Sequence, residues 1–362
     1  MATREKAIFS NMKDDIDAVV LMNAVEPNLD SCFFYATGIV NGLFEGCVAI
    51  VEPKRTEVLT SELEALSASE AGVKTTAFEN GQESMRLMTR KLSRFSTIGI
   101  NSSELTVSNQ KKIKKASKGA KLVDVSHELY KCRMIKQPDE LARTRKACSI
   151  ASRTGEAIPE IVEEGMTETE VAAELCYRMM RLGAAATAFN SVVAFGSKSA
   201  EPHYSPSSTR RLKNGQFALF DFGASYRRYV SDMTRTFVCG SATRRQLKMH
   251  ETVLRAQEAA IDAISDGASG ATVDGAARTI IDGSEFRGRF IHSTGHGLGI
   301  SVHDPGSISS ARDMTLREGM VLTVEPGIYI KGYGGVRIED DILVTKRGCQ
   351  VLTSCPKELI AI

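Results

Sequence analysis

No stretch of the 362-residue chain approaches the roughly 18 consecutive apolar residues of a membrane-spanning helix, which excludes an integral helical membrane protein. The opening residues, Met-Ala-Thr-Arg-Glu-Lys-Ala-Ile-Phe, lack the continuous apolar segment of a signal peptide, and acidic residues follow soon after. Charge of either sign is scarcely in excess. Lys and Arg number 46 and Asp and Glu 44, a balance of +2, so no polyanionic partner is implied and no nucleic-acid role is expected. The local exception is the run Lys111, Lys112, Lys114, Lys115, Lys118 and Lys121. With no interleaved aromatics it reads as a solvated helix face with Ile113 turned inward. Paired cysteines are missing as well. The eight thiols are scattered, the closest two being Cys349 and Cys355, so no CxxC metal or redox pair exists. Reduced thiols in a cytoplasmic protein are the simplest expectation. Neither low-complexity segments nor exact short repeats occur.

The composition itself is that of a globular chain, with 42% hydrophobic and 25% charged residues. At about 150 residues per domain, the length suits two domains. The first 125 residues mix short apolar runs with polar helical stretches, an α/β pattern. Asp17 to Met22, Gly46 to Glu52 and Thr97 to Ile100 are the strand candidates. No chemistry stands out in this third of the chain. A seam covers 126–138 as a linker, and a second domain, 139–362, follows. Pro138, trailed by Asp139 and Glu140, opens a helix expected to run unbroken to Glu164 and to stop at Gly165. Thr167 with Glu170 caps another to about Leu182, Thr243 with Gln246 a third to about Asp266, and Thr272 to Asp282 makes a fourth. Strands lie between and after these helices.

Two of the strand pairs carry carboxylates. Phe217 to Ala224 alternates, as does Tyr229 to Val238, with a tight connection at Ser225 to Arg228. A symmetric fold about that connection sets Asp221 opposite Asp232, with Cβ atoms ~4.5–5.5 Å apart. Facing carboxylates repel unless a proton or cation lies between them. Val321 to Glu325 and Gly335 to Val344 form a second ribbon, and a turn centred near Gly332 brings Glu325 close to Glu339. Between the ribbons, Gly295 and Gly297 flank His296, which leaves its imidazole unencumbered. Four carboxylates and one imidazole make a hard donor set. It suits two divalent ions, Mn²⁺ foremost, with Co²⁺, Fe²⁺ or Zn²⁺ as alternatives. Such a pair can share a hydroxide that attacks a substrate.

The ordered set of Asp221 with Asp232, Gly295-His296-Gly297, Glu325-Pro326-Gly327 and Arg337-Ile-Glu339-Asp340 resembles the pita-bread-fold metallopeptidases. These include methionine aminopeptidase, aminopeptidase P and prolidase. The resemblance implies an α+β architecture, with a C-terminal pita-bread catalytic domain behind a smaller α/β N-terminal domain of creatinase/prolidase type. It implies Asp221, Asp232, His296, Glu325 and Glu339 as ligands of two metal ions, with Asp232 and Glu339 bridging and Glu325 doubling as base. His203 and His303 would steady the substrate and the tetrahedral intermediate. His292 would line the site, and Arg337 would place a guanidinium near it, where it could grip a substrate carboxylate. Ion pairing of Arg337 with Glu339, Asp340 or Asp341 is its other reading. The long N-terminal domain, with Phe34-Tyr-Ala-Thr-Gly38, is similar to that of the Xaa-Pro-specific members. The implied activity is hydrolysis of Xaa-Pro dipeptides by a metal-bridging hydroxide, in a cytoplasmic homodimer that meets only small peptides. The alternatives are aminopeptidase P action on longer Xaa-Pro peptides, hydrolysis of a non-peptide amide, and a non-catalytic binding protein on the same fold.

Overall fold

The computed structural model describes residues 3–362, which divide into two compact units, one ending at Arg133 and the other running from Met134 to Ile362.

In the first unit, Ala18–Met22, Val48–Glu52 and Thr97–Ile100 are strands, where the apolar runs placed them. They belong to a six-stranded mixed sheet. Ala18–Met22 pairs antiparallel with Val48–Glu52 on one side and parallel with Thr97–Ile100 on the other. Burial on both faces is what such continuous apolar strands need, and all five residues of Ala18–Met22 are buried. The lysine run lies mostly on the helix Val107–Ala116, where Ile113 is fully buried. Among the buried polar groups here, the Arg133 guanidinium stands 3.4 Å from the Cys32 sulfur and 3.3 Å from Glu104. The segment expected as a linker instead contains the helix Ser126–Met134, with Leu129 and Cys132 buried. All eight cysteines are free.

The second unit is built on antiparallel pairing. Phe217–Phe222 is the middle strand of three, between Val192–Phe195 and Met233–Val238. A five-stranded sheet contains Gly295–Gly297, Val321–Val324 and Asp340–Thr345 as consecutive neighbours. The ribbon Gly327–Ile330 with Gly334–Arg337 continues from it. Helices cover these sheets with apolar faces at 3.6-residue spacing. Met249, Val253, Ala256 and Ala260 of Arg244–Asp262 and Val273, Ala277 and Ile281 of Gly270–Asp282 pack under Val324, Ile328, Val336 and Ile342. Ile150, Val171, Leu175 and Met179 pack on Phe195, Phe220, Phe222 and Phe237 in a separate cluster. The carboxylate-bearing strands therefore lie between two rigid cores.

The capping signals at Thr167 and Thr243 operate as expected: Thr167 accepts from the Glu170 amide at 3.2 Å, and Thr243 from that of Gln246 at 3.3 Å. The helix from Pro138 does not reach Glu164. It ends at Glu156, and Ile158–Ile161 forms a separate turn. Pro159 is the cause, because its ring offers no amide and clashes with the carbonyl four residues back.

Candidate metal and active site

The hairpin turn between Asp221 and Asp232 sits one residue further along than a symmetric fold about Ser225 to Arg228 sets it. Arg227 and Arg228 both take positive φ, 48° and 70°, making a two-residue turn with Tyr226 paired to Tyr229. Asp221 consequently faces Thr234, not Asp232. The slip is two residues, one full pleat, so Asp232 keeps to the same face as a diagonal neighbour of Asp221. Strict opposition is corrected, while convergence survives. The second ribbon has the expected register. Val324 pairs with Asp340 on one side and Gly327 with Arg337 on the other, which leaves Glu325 across from Glu339 in the gap between the two ladders.

His296 arrives between these ribbons through two glycines that no other residue could replace. A Cβ on Gly295 would lie 1.9 Å from the Thr323 carbonyl oxygen, and one on Gly297 would lie 2.2 Å from that of Pro305. The His296 Nδ1 meets the Gly297 carbonyl at 3.1 Å, so Nδ1 carries the proton and Nε2 presents a lone pair. That Nε2 stands 3.6 Å from Asp232 Oδ2 and 3.5 Å from Glu325 Oε1. Burial lowers the His296 pKa to about 4, so the ring is neutral near pH 7.

One cavity of about 1010 Å³ is lined by Asp221, Asp232, His203, His292, His296, His303, Glu325, Arg337 and Glu339, so every residue expected at the site borders the same space. Asp232, His296 and Glu339 each place a ligating atom within 4.8 Å of the others. His303 stacks edge-on to His296, with ring centroids 4.5 Å apart.

Electrostatically the cluster is overcrowded. Burial, then the nearby Glu339 and Asp221, push the Asp232 carboxyl well above the ordinary range. Burial, then Glu339, do the same to Glu325. Glu339 is raised to about 8 by burial and by Asp221. Asp221 is raised by burial too, although Arg337 pulls against it. Oδ1 of Asp221 and Oδ1 of Asp232 are buried without a hydrogen-bond partner. An imidazole lone pair beside crowded carboxylates, two of which keep an unpartnered buried oxygen, is what divalent cations satisfy, and the mixed oxygen and imidazole donors fit such ions.

Comparison with known proteins decides the family. Residues 142–346 match the model of metallopeptidase family M24, and residues 6–135 match the creatinase/prolidase N-terminal domain. The chain belongs to metallopeptidase family M24. An Xaa-Pro dipeptidase of Pyrococcus horikoshii is 37% identical over 349 residues, covering 96% of this chain and 95% of that relative. Among solved structures, an Xaa-Pro dipeptidase from Bacillus anthracis matches with a TM-score of 0.91 at 32% identity, covering 99% of each chain. An X-Pro aminopeptidase from Thermotoga maritima matches at 0.90 and 30% identity, covering 96% of this chain and 98% of that one. The two-domain architecture is thus the creatinase-type N-terminal domain followed by the M24 pita-bread domain.

Within this M24 site, Arg337 is occupied. Its NH2 donates to Asp221 Oδ2 at 2.6 Å, its Nε to Thr234 Oγ1 at 2.9 Å and its NH1 to the Tyr329 hydroxyl at 3.0 Å. The ion-pair partner is Asp221, on the facing hairpin, in place of Glu339, Asp340 or Asp341. Register explains it: Arg337 lies two residues before Glu339, on the same face, and so looks across at Asp221 and Thr234. His292 is also fully partnered, Nδ1 with the Ser293 carbonyl and Nε2 with the Tyr329 hydroxyl, each at 2.8 Å. Burial, then Arg337, lower its pKa to about 4.

Three supporting residues escaped the sequence reading. Tyr329 joins Arg337 to His292. Thr234 donates its hydroxyl to Glu339 Oε2 at 2.6 Å while accepting from Arg337. Asp341 accepts the Asp232 amide at 3.0 Å. Only Asp341 had a usable signal, as the third acid of Glu339-Asp-Asp341. Tyr329 and Thr234 looked like ordinary strand residues, and cross-hairpin register was needed to see them.

Proposed function

We propose that this M24 enzyme hydrolyses Xaa-Pro peptide bonds, dipeptides by preference, with two divalent ions held by Asp221, Asp232, His296, Glu325 and Glu339. Asp232 and Glu339, at the centre of the cluster, would bridge them. The observation that carries the reading is four carboxylates, two of them with a buried unpartnered oxygen (Asp221 Oδ1 and Asp232 Oδ1), around one neutral imidazole in a single cavity. When bound, such ions supply an acidified water and a polarised scissile carbonyl.

The protein's own residues account for the rest. Glu325 takes the proton of the attacking water and hands it to the leaving proline nitrogen, a role open to a carboxylate that borders the cavity. His203 and His303 border the cavity and donate to the oxygen that gains charge as the carbonyl becomes tetrahedral. Arg337 holds Asp221 in place, and Tyr329 relays that order to His292, whose ring forms part of the wall against which the substrate rests. We assign Arg337 to this positioning in preference to a grip on the substrate carboxylate, because three of its donors are already committed.

We further propose manganese as the native ion, from the hardness of the oxygen donors, and a cytoplasmic setting, which eight free thiols suit. A homodimer is the assembly the family likeness favours.

A second reading has support of its own. The likeness to the Thermotoga maritima X-Pro aminopeptidase and the ample cavity favour action on longer Xaa-Pro peptides. A panel of Ala-Pro, Ala-Pro-Ala and Ala-Ala, assayed on chelated protein resupplied with Mn²⁺, Co²⁺ or Zn²⁺, separates the cases. Metal-dependent cleavage of Ala-Pro over Ala-Ala is expected. Preference for Ala-Pro-Ala would move the assignment to the aminopeptidase, and inertness toward all three would end it.

A further inference from the structure

Asp232 lies in the gap between the strands Tyr229–Val230 and Met233–Val238, so its amide stands outside their ladders. That amide donates to Asp341 Oδ2 at 3.0 Å. The same oxygen receives the Cys148 thiol at 3.3 Å, from the long helix Pro138–Glu156. One step along, the Glu339 amide donates to the Thr234 carbonyl at 3.1 Å. The two hairpins are thereby tied together at each candidate bridging ligand. At Glu339 the tie is main chain to main chain. At Asp232 it depends on one side chain.

A carboxylate is an expensive way to accept one amide proton here. Asp341 is wholly buried, its Oδ1 has no partner, and Glu339, two residues before it, sets a second carboxylate nearby. A purely structural need would be met by a neutral acceptor without that repulsion. A negative charge directly behind Asp232 has a use only if cations sit in front of it.

Building on the proposed ligand set, we propose that Asp341 is a positioning residue for the metal centre, holding the Asp232 backbone in register through its amide and adding negative charge behind the ions, with Cys148 securing the Asp341 carboxylate. Asp341 touches neither substrate nor reacting atoms.

The test compares wild type, Asp341→Asn and Asp341→Leu as full-length chelated protein, measuring Mn²⁺ affinity by chelator competition and Ala-Pro hydrolysis at saturating Mn²⁺. Leucine removes acceptor and charge together; Mn²⁺ binding should weaken by ~10–100-fold, the range for outer partners of metal ligands. At saturating Mn²⁺ the kcat of that variant should fall while KM for Ala-Pro stays within about twofold, because the lost order lies on the metal side of the substrate. Asparagine keeps an acceptor for the Asp232 amide and should recover part of the affinity, leaving the share due to charge. Lowered thermal stability with wild-type Mn²⁺ affinity in both variants would reduce Asp341 to a structural residue and overturn the proposal. Should the leucine variant fail to fold, the asparagine variant decides alone, since unchanged Mn²⁺ affinity there contradicts the charge role. Failure of wild type to cleave Ala-Pro would undo the substrate assignment and leave these affinity ratios standing.

Discussion

Removing the metal ions should make the protein lose stability as pH rises through the neutral range. In the metal-free protein Glu339 holds its proton to about pH 8, whereas an unperturbed glutamate releases it near 4.5. Between those values the native state binds more protons than the unfolded chain, so stability falls as pH rises, and the loss is complete once Glu339 ionises. His250, His292 and His296 act oppositely. Each has a pKa of about 4 in the fold against 6.5 ordinarily, so each adds stability as pH climbs to about 6.5 and nothing thereafter. Asp30, raised to about 7 by burial and Glu104, shares the sign of Glu339 but is spent sooner. The clean window is therefore pH 6.5 to 8. At about 1.4 kcal/mol per pH unit, Glu339 alone should remove ~2 kcal/mol across it, and the raised carboxyls of Asp232 and Glu325 add in the same direction. Urea unfolding of chelated protein at half-unit pH steps measures this directly. Above about pH 7, where Asp30 no longer contributes, the slope should vanish with saturating Mn²⁺ and shrink in Glu339→Gln. A metal-free protein whose stability stays level or rises from pH 6.5 to 8 would show that the carboxylates are not crowded together, and the electrostatic reasoning would fall with it.

Other perturbations probe separate parts of the site. Arg337→Met strips Asp221 of its 2.6 Å partner and should weaken Mn²⁺ binding by ~10–100-fold; chelator competition reads this, and an unchanged affinity with raised KM would return Arg337 to substrate recognition. If His303 donates to the developing oxyanion as proposed, His303→Ala should lower kcat by ~10²–10³-fold with Mn²⁺ content intact, as metal analysis beside steady-state kinetics would reveal. Tyr329→Phe deletes the hydroxyl between Arg337 and His292; KM for Ala-Pro should rise with a smaller change in kcat, and a change in kcat alone would assign Tyr329 to the chemistry.

How much of this was readable from the chain depends on what each feature required. The Glu325 and Glu339 ribbon was legible because its turn is marked by glycines around Gly332, and the pairing of Gly327 with Arg337 follows from that centre. The Asp221 hairpin misled because arginines at 227 and 228 do not advertise the positive φ they adopt. The error was harmless to the site, since a slip of two residues preserves the face. His296 stood out through its flanking glycines, whose necessity lies in the Thr323 and Pro305 carbonyls occupying the space a Cβ would need, which only a structure reveals. Pro159 splits the helix expected to reach Glu164, as proline inside a helix does. The bonds that order the ligands, from Arg337, Thr234 and Asp341, join residues about a hundred positions apart. Nothing in local pattern encodes such distances.

The most direct measurement is the metal content of chelated protein titrated with Mn²⁺, followed by elemental analysis and Ala-Pro hydrolysis on the same samples, for wild type and Asp232→Asn. Two ions per chain, with activity rising as they fill and both lost in the variant, is the expected result. Full hydrolysis at negligible metal content, or an Asp232→Asn protein that binds the wild-type complement, would contradict the account.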